Sequence, residues 1–179
     1  MKLLAFAGSS STQSINKKLA TYAAGLINAE EKEIIDLNDY ELPLFSVDKE
    51  KLIGAPPIAR LFLDKIEWAD MLVISVAEHN AGMTVAFKNI YDWASRQKKL
   101  VFDNKPVLLL STSPGGYGAK NALEAAKISL PRYGGDIRAT FSLPKFQENF
   151  DVEAGQISNK EHDDALKEII RNFDYEQKG

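Results

Sequence analysis

Lys2-Leu3-Leu4-Ala5-Phe6-Ala7-Gly8-Ser9-Ser10-Ser11-Thr12-Gln13-Ser14-Ile15-Asn16 opens the chain and decides its architecture. Residues 3–7 are a continuous apolar run stopped by Gly8, the pattern of a strand buried on both faces. From Ser14 the period changes: Ile15, Leu19, Tyr22, Ala23, Leu26 and Ile27 recur at helical spacing. The turn between strand and helix is crowded with Ser9, Ser10, Ser11, Thr12, Gln13, Ser14 and Asn16. Hydroxyls and backbone N–H groups at a helix N-terminus suit a phosphate, and the helix dipole adds about 0.3–1 kcal/mol. One serine would suffice as an N-cap, so the density of the run favours an anion site. The turn is neither a Walker A loop nor G-x-G-x-x-G, because Gly8 is its only glycine and no Gly-Lys-Ser/Thr follows.

Outward from this unit the same alternation repeats. A second strand is expected over Glu33–Leu37, then a charged loop over Asp39–Lys51, then a helix from Pro56-Pro57 to about Trp68. Met71–Val76 is a third apolar run, and residues 84–97 are helical in pattern. Val107–Leu110 reads as a fourth strand, Ala119–Leu130 as a helix and Ile137–Leu143 as a fifth strand after the Gly134-Gly135 turn. Lys145–Gly155 reads as polar loop, and Ser158-Asn159-Lys160-Glu161 has capping-box spacing before a last helix. Strict strand–helix alternation argues for an α/β fold with a parallel sheet covered on both faces. Five strands favour a flavodoxin-like, doubly wound five-stranded parallel sheet in the order 2-1-3-4-5, formed by residues 1–179 as a single domain.

Composition sets outer bounds. The chain has 179 residues, 45% of them apolar and 26% charged, the balance of a globular protein. A net charge of −3 gives no electrostatic reason to expect a nucleic acid or an anionic membrane as partner. There is no cysteine, which excludes thiol chemistry and disulfides and fits a cytoplasmic location. The apolar run after Lys2 is too short for a signal peptide or a membrane span. His79 and His162 lie far apart in sequence, so no metal site is expected.

In the expected topology the loops after strands one, three and four meet at the switch point, where ligands bind. The second of these loops is Ala77-Glu78-His79-Asn80-Ala81-Gly82, and the third is Ser111-Thr112-Ser113-Pro114-Gly115-Gly116-Tyr117-Gly118. The glycines of the third allow a backbone to approach a flat ligand closely. Trp68 and Trp93 read as packing residues. Phe87, Tyr91 and Trp93 exceed what one buried helical stripe needs, so this helix is expected to present a second apolar face to another subunit.

At these loops the sequence resembles the NAD(P)H-dependent FMN reductases, a flavodoxin-like family that includes quinone, chromate and azo-dye reductases. Gly8-Ser9 and Ser14-Ile15-Asn16 match its first motif. Glu78 and Asn80, followed by Phe87-Lys88-Asn89 and Asp92-Trp93, match its second. Ser113, Gly115 and Gly118 match its third. The resemblance extends over nearly the whole chain, including Asp36-Leu37 and Leu42-Pro43. The chain departs from the family pattern at Ser11, which stands in place of an arginine, at Ala77 and His79 in place of proline and tyrosine, at Gly82 in place of serine, and at Asn121 in place of an arginine. With no arginine at position 11, Lys17 or Lys18 is the cation nearest the loop in sequence.

The resemblance implies FMN as cofactor and NAD(P)H as co-substrate. Ser9, Ser11, Ser14, Ile15 and Asn16 would hold the FMN phosphate, with the Asn16 side chain facing the ligand. Glu78, His79, Asn80 and Gly82 would border the isoalloxazine ring, and Ser113, Gly115 and Gly116 would lie along its other edge. The flavin carries the hydride chemistry, so no side chain is assigned as acid or base. The partner would be a small electron acceptor, such as a flavin or a quinone, and the assembly a homodimer or homotetramer. Two rival readings are a flavodoxin-type carrier with no substrate of its own and a regulatory protein that has lost the cofactor. The modest charge and the absence of a Thr-x-Thr-Gly-x-Thr phosphate loop argue against the carrier.

Overall fold

The computed structural model describes residues 1–176. Five strands form one all-parallel sheet: β1 (Lys2–Gly8), β2 (Glu31–Ile35), β3 (Met71–Val76), β4 (Lys105–Thr112) and β5 (Gly135–Leu143). Their spatial order is β2-β1-β3-β4-β5, the order expected from the alternation. The helices are α1 (Ile15–Leu26), α2 (Val47–Ile53), α3 (Pro57–Trp68), α4 (Val85–Gln97), α5 (Lys120–Ser129), α6 (Phe146–Asn149) and α7 (Lys160–Glu176).

The sheet separates two cores, because successive side chains of a strand point to opposite faces. On one face Leu4, Phe6, Leu72, Ile74 and Leu109 pack against α3, α4 and α5. On the other, Leu3, Ala5, Val73, Leu108 and Leu110 pack against α1 and α7. All six residues of β3 are buried, as its unbroken apolar run required. Register fixes the site: Gly8 pairs with Val76, and Val76 with Ser111. The three loops therefore leave the sheet side by side. Glycine suits position 8, since a Cβ there would lie 3.0 Å from the buried Phe87 ring, which would have to shift.

Five local expectations need correction. The strand β2 ends at Ile35, and Asp36 instead caps a 3-10 turn over Leu37–Tyr40 by accepting from the Asn38 N–H. The expected loop over Asp39–Lys51 contains most of α2, whose start is capped by Ser46. The expected loop over Lys145–Gly155 contains α6, and Phe146 and Phe150 stack there with ring centroids 4.6 Å apart, buried against the α7 face of the sheet. Asn159, not Ser158, caps α7: its Oδ1 accepts from the N–H groups of Glu161 and His162. Finally, Phe87, Tyr91 and Trp93 are all buried within the chain, so α4 presents no second apolar face through them. Both its faces are used because one packs on the sheet and the other grips the strap after β2. Asn89 donates to the carbonyls of Leu42 and Pro43 and accepts from Phe45 N–H, and Trp93 Nε1 donates to Pro43 at 2.7 Å. That strap accounts for the Asn89 and Trp93 positions of the helix motif.

Candidate active site

A cleft of about 200 Å³ opens at the carboxyl ends of β1, β3 and β4. It brings together Ser9, Ser11, Ser14, Ile15 and Asn16 of the first loop, Glu78 and His79 of the second, and Ser113 of the third. Of the expected site residues, Asn80, Gly82, Gly115 and Gly116 stand outside its lining, further along the same loops. Gln13, Ala77, Thr112 and Pro114, which lie in the same three loops but were not among the expected contact residues, complete the walls.

The first loop turns tightly into α1. Ser14 caps the helix, its hydroxyl accepting from Lys17 N–H at 3.1 Å and its carbonyl from Lys18 N–H at 3.2 Å. Ser14 N–H donates to the Ser11 carbonyl, and Ser11 N–H to Ser9 Oγ. Among the described residues no protein acceptor meets the N–H groups of Ile15 and Asn16, as expected at a helix start. They carry the positive end of the helix dipole to the cleft.

Asn16 itself turns inward, which corrects the expectation that its side chain faces a ligand. The residue is 3% exposed. Its Oδ1 accepts from Ser75 Oγ at 2.8 Å and Thr112 N–H at 3.0 Å, and its Nδ2 donates to the Thr112 carbonyl at 3.0 Å. The side chain thus staples α1 to β3 and β4 where the strand order reverses. Thr84 makes a second tie, capping α4 at Phe87 N–H while donating to the Gly8 carbonyl at 2.8 Å.

Lys17 is not available to the first loop. Its ammonium pairs with Asp36 at 2.6 Å. Burial alone would raise the Asp36 carboxyl, but the Lys17 ammonium and the Asn38 N–H outweigh it and hold the group below its ordinary range. Neither Lys17 nor Lys18 lines the cleft, whose own anion-binding capacity rests on neutral donors and the helix end.

The second loop is a miniature antiparallel ribbon, Glu78–His79 against Gly82–Met83. Asn80 and Ala81 form its turn with φ of 51° and 61°, the signature of a type I′ hairpin turn. Asparagine tolerates that region, whereas alanine is strained in it. His79 and Asn80 are exposed. The Glu78 carboxylate points away from the turn to the start of α5, accepting from Ala122 N–H at 3.1 Å and Asn121 Nδ2 at 3.2 Å.

The glycines of the third loop differ in purpose. Gly118 has φ 65°, and a Cβ there would overlap Ser142 Oγ, so its own fold demands it. A Cβ at Gly115 would meet only Ser113 Oγ at 3.9 Å, and one at Gly116 would meet nothing within 4 Å. Beside the cleft, Ser10, Tyr40, Leu42, Leu44, Val85 and Asn89 line part of a larger groove of about 470 Å³. No helix among the described residues is long and apolar enough to cross a membrane.

Comparison with known proteins places this geometry in a lineage. The chain is 33% identical over 123 residues to an NAD(P)H-dependent FMN reductase of Pseudomonas aeruginosa, covering 68% of this chain and 65% of that protein. It is 35% identical over 120 residues to a 2-hydroxy-1,4-benzoquinone reductase of a Burkholderia species, covering 66% and 63%. The match thus spans just under two thirds of each of these relatives. Among solved structures, a flavoenzyme NAD(P)H:(acceptor) oxidoreductase from Paracoccus denitrificans superimposes with a TM-score of 0.75 at 24% identity, covering 97% of this chain and 95% of that one, which establishes a shared fold. The sequence pattern of the NADPH-dependent FMN reductases matches residues 1–148, the stretch that holds all three loops. Fold, loop placement and this match agree, and the chain belongs to the NADPH-dependent FMN reductase family.

Proposed function

We propose that the chain binds FMN at the cleft and uses it to oxidise NAD(P)H, delivering the electrons to a small acceptor of the quinone or flavin class. The observation that carries this reading is the start of α1. There the N–H groups of Ile15 and Asn16, which have no acceptor among the described residues, meet the Ser9 and Ser11 hydroxyls at one cleft. The third loop fits the same ligand. Nothing in the protein's own packing calls for glycine at Gly116, whereas a flat ring approaching the backbone would. The cleft is smaller than the ~300–1,000 Å³ usual for a whole small-molecule site. It suits enclosure of one end of the cofactor, with the ring left accessible to co-substrates.

In this arrangement Ser9, Ser11, Ser14 and the backbone of Ile15 and Asn16 hold the phosphate. Glu78, His79, Asn80 and Gly82 border one side of the ring, and Ser113, Gly115 and Gly116 the other. Bound FMN supplies the hydride-accepting and electron-donating chemistry. The chain's own contribution is orientation: the helix end neutralises phosphate charge, and the ties made by Asn16 and Thr84 keep the loops in place before the ligand arrives. A quinone acceptor is supported by the likeness to the 2-hydroxy-1,4-benzoquinone reductase of Burkholderia. The reading includes a cytoplasmic homodimer or homotetramer. Exposed Leu44 and Val85 on the groove, and Leu52 on α2, supply apolar surface for self-association.

Protein purified without denaturant should be yellow and release FMN on heating. It should oxidise NADH or NADPH when given quinones or free flavin, and sediment as a dimer or tetramer at micromolar concentration. Recovery of FAD alone, or failure to take up added FMN, would overturn the cofactor assignment. FMN binding without nucleotide oxidation against any acceptor would favour the carrier reading instead.

A further inference from the structure

Helix α5 lacks a cap of its own. Ala119, which precedes it, lies in the left-handed region at φ 60° and offers no side-chain acceptor. One first-turn backbone donor and one first-turn side chain are met from another loop: Glu78 Oε2 takes the Ala122 N–H at 3.1 Å, and Oε1 takes Asn121 Nδ2 at 3.2 Å. A carboxylate is well placed there, because it meets the positive end of the helix dipole. The same residue opens the ribbon that carries His79, Asn80 and Gly82. That ribbon has only two residue pairs and a strained Ala81 in its turn, and so short a hairpin has little stability of its own.

We propose that Glu78 is a positioning residue: its side chain anchors the His79–Gly82 hairpin to the start of α5, so that the second and third loops present one fixed gap to the ring. The inference rests on the FMN reading of the cleft. Its physical content is preorganisation: a tethered hairpin need not be ordered when the cofactor binds. The tether is made chiefly by the acceptor atoms, the negative charge adding only the smaller dipole contribution. Glutamine at position 78 could give its carbonyl to Ala122 N–H and its amide N–H to Asn121 Oδ1, once the Asn121 amide turns over. Alanine could do neither.

The test compares E78A and E78Q in the full chain. Hydrogen–deuterium exchange is measured on the apo-proteins, FMN is titrated into each, and unfolding midpoints are recorded alongside. In E78A, exchange at Ala122 and residues 79–83 should accelerate by about tenfold or more, beyond any change in the rest of the sheet, and the FMN dissociation constant should rise about tenfold. E78Q should stay within about threefold of the parent on both measures. Unchanged exchange at Ala122 and the hairpin in E78A would overturn the proposal, as would E78Q losing as much FMN affinity as E78A. Failure of the parent protein to bind FMN would overturn the cofactor reading alone, since the exchange data still decide the tether.

Discussion

Replacing Asn16 by alanine separates a ligand contact from a structural staple. The amide makes three hydrogen bonds, to Ser75 Oγ and to both backbone groups of Thr112, and both partner residues are at most 1% exposed. Stranding a buried polar group costs about 1–3 kcal/mol. Two stranded backbone groups and a hydroxyl would exceed that, but water from the adjoining cleft can reach the gap. We therefore expect a loss of about 3 kcal/mol, a large share of a typical total of about 5–15 kcal/mol. In a chain of this size that lowers Tm by about 6–12 °C. The assay is urea and thermal unfolding of the apo-protein, where no cofactor can mask the effect. Asn16→Asp sharpens the test. One carboxylate oxygen keeps the bonds from Ser75 and Thr112 N–H, while the other faces the Thr112 carbonyl with no proton to give. Its deficit should shrink as pH falls through the carboxyl range, because the protonated acid can donate to that carbonyl. An apo-protein whose midpoint is unmoved by Asn16→Ala, with FMN affinity alone reduced, would refute the reasoning and return the side chain to the ligand.

Gly116→Ala should leave unfolding midpoints within about 0.5 kcal/mol of the parent yet weaken FMN, whereas Gly118→Ala should destabilise the apo-protein by about 2 kcal/mol or more through backbone strain and overlap with Ser142; paired titrations and melts distinguish the two. Ser11→Arg should tighten FMN by up to about 1 kcal/mol and steepen its salt dependence, because Lys17 is held by Asp36 and brings no charge to the loop; equal affinities and salt slopes would remove position 11 from the phosphate site. Asp36→Asn keeps the turn at Asn38 but breaks the Lys17 pair. The Asp36 carboxyl titrates below its ordinary value in the folded state, so the parent's advantage of up to about 1 kcal/mol should be full above about pH 5 and vanish as pH falls through the folded value; a gap that persists once the carboxyl is fully protonated would exclude the ion pair as its source.

Much of the architecture was legible because its signals are local. The apolar runs at Lys2–Gly8 and Met71–Val76 announce fully buried strands, and the period change at Ser14 announces a helix. Pro57 at the first turn of α3 marks a helix start by its fixed φ. Strict alternation then leaves few topologies, and the observed order is the one it favours. The placement of three loops at one end followed from that order, not from any motif considered alone.

What the tertiary structure decided is where side chains point and which groups they satisfy. Asn16 has the type and position of a phosphate ligand, yet its partners Ser75 and Thr112 lie in distant strands that only the folded sheet brings within 3.0 Å. Phe87, Tyr91 and Trp93 looked excessive for one stripe because the strap over α4, gripped by Asn89 and Trp93, carries too weak a pattern to be seen as a packing partner. Phe146 and Phe150 sit in a polar stretch, and their burial depends on the stacking of two rings against the far face of the sheet. Lys17 was free in sequence and is committed in space, because β2 delivers Asp36 beside it. Local pattern sets backbone conformation, since that depends on neighbouring residues; hydrogen-bond and charge partners come from residues far apart in the chain, and no local pattern encodes them.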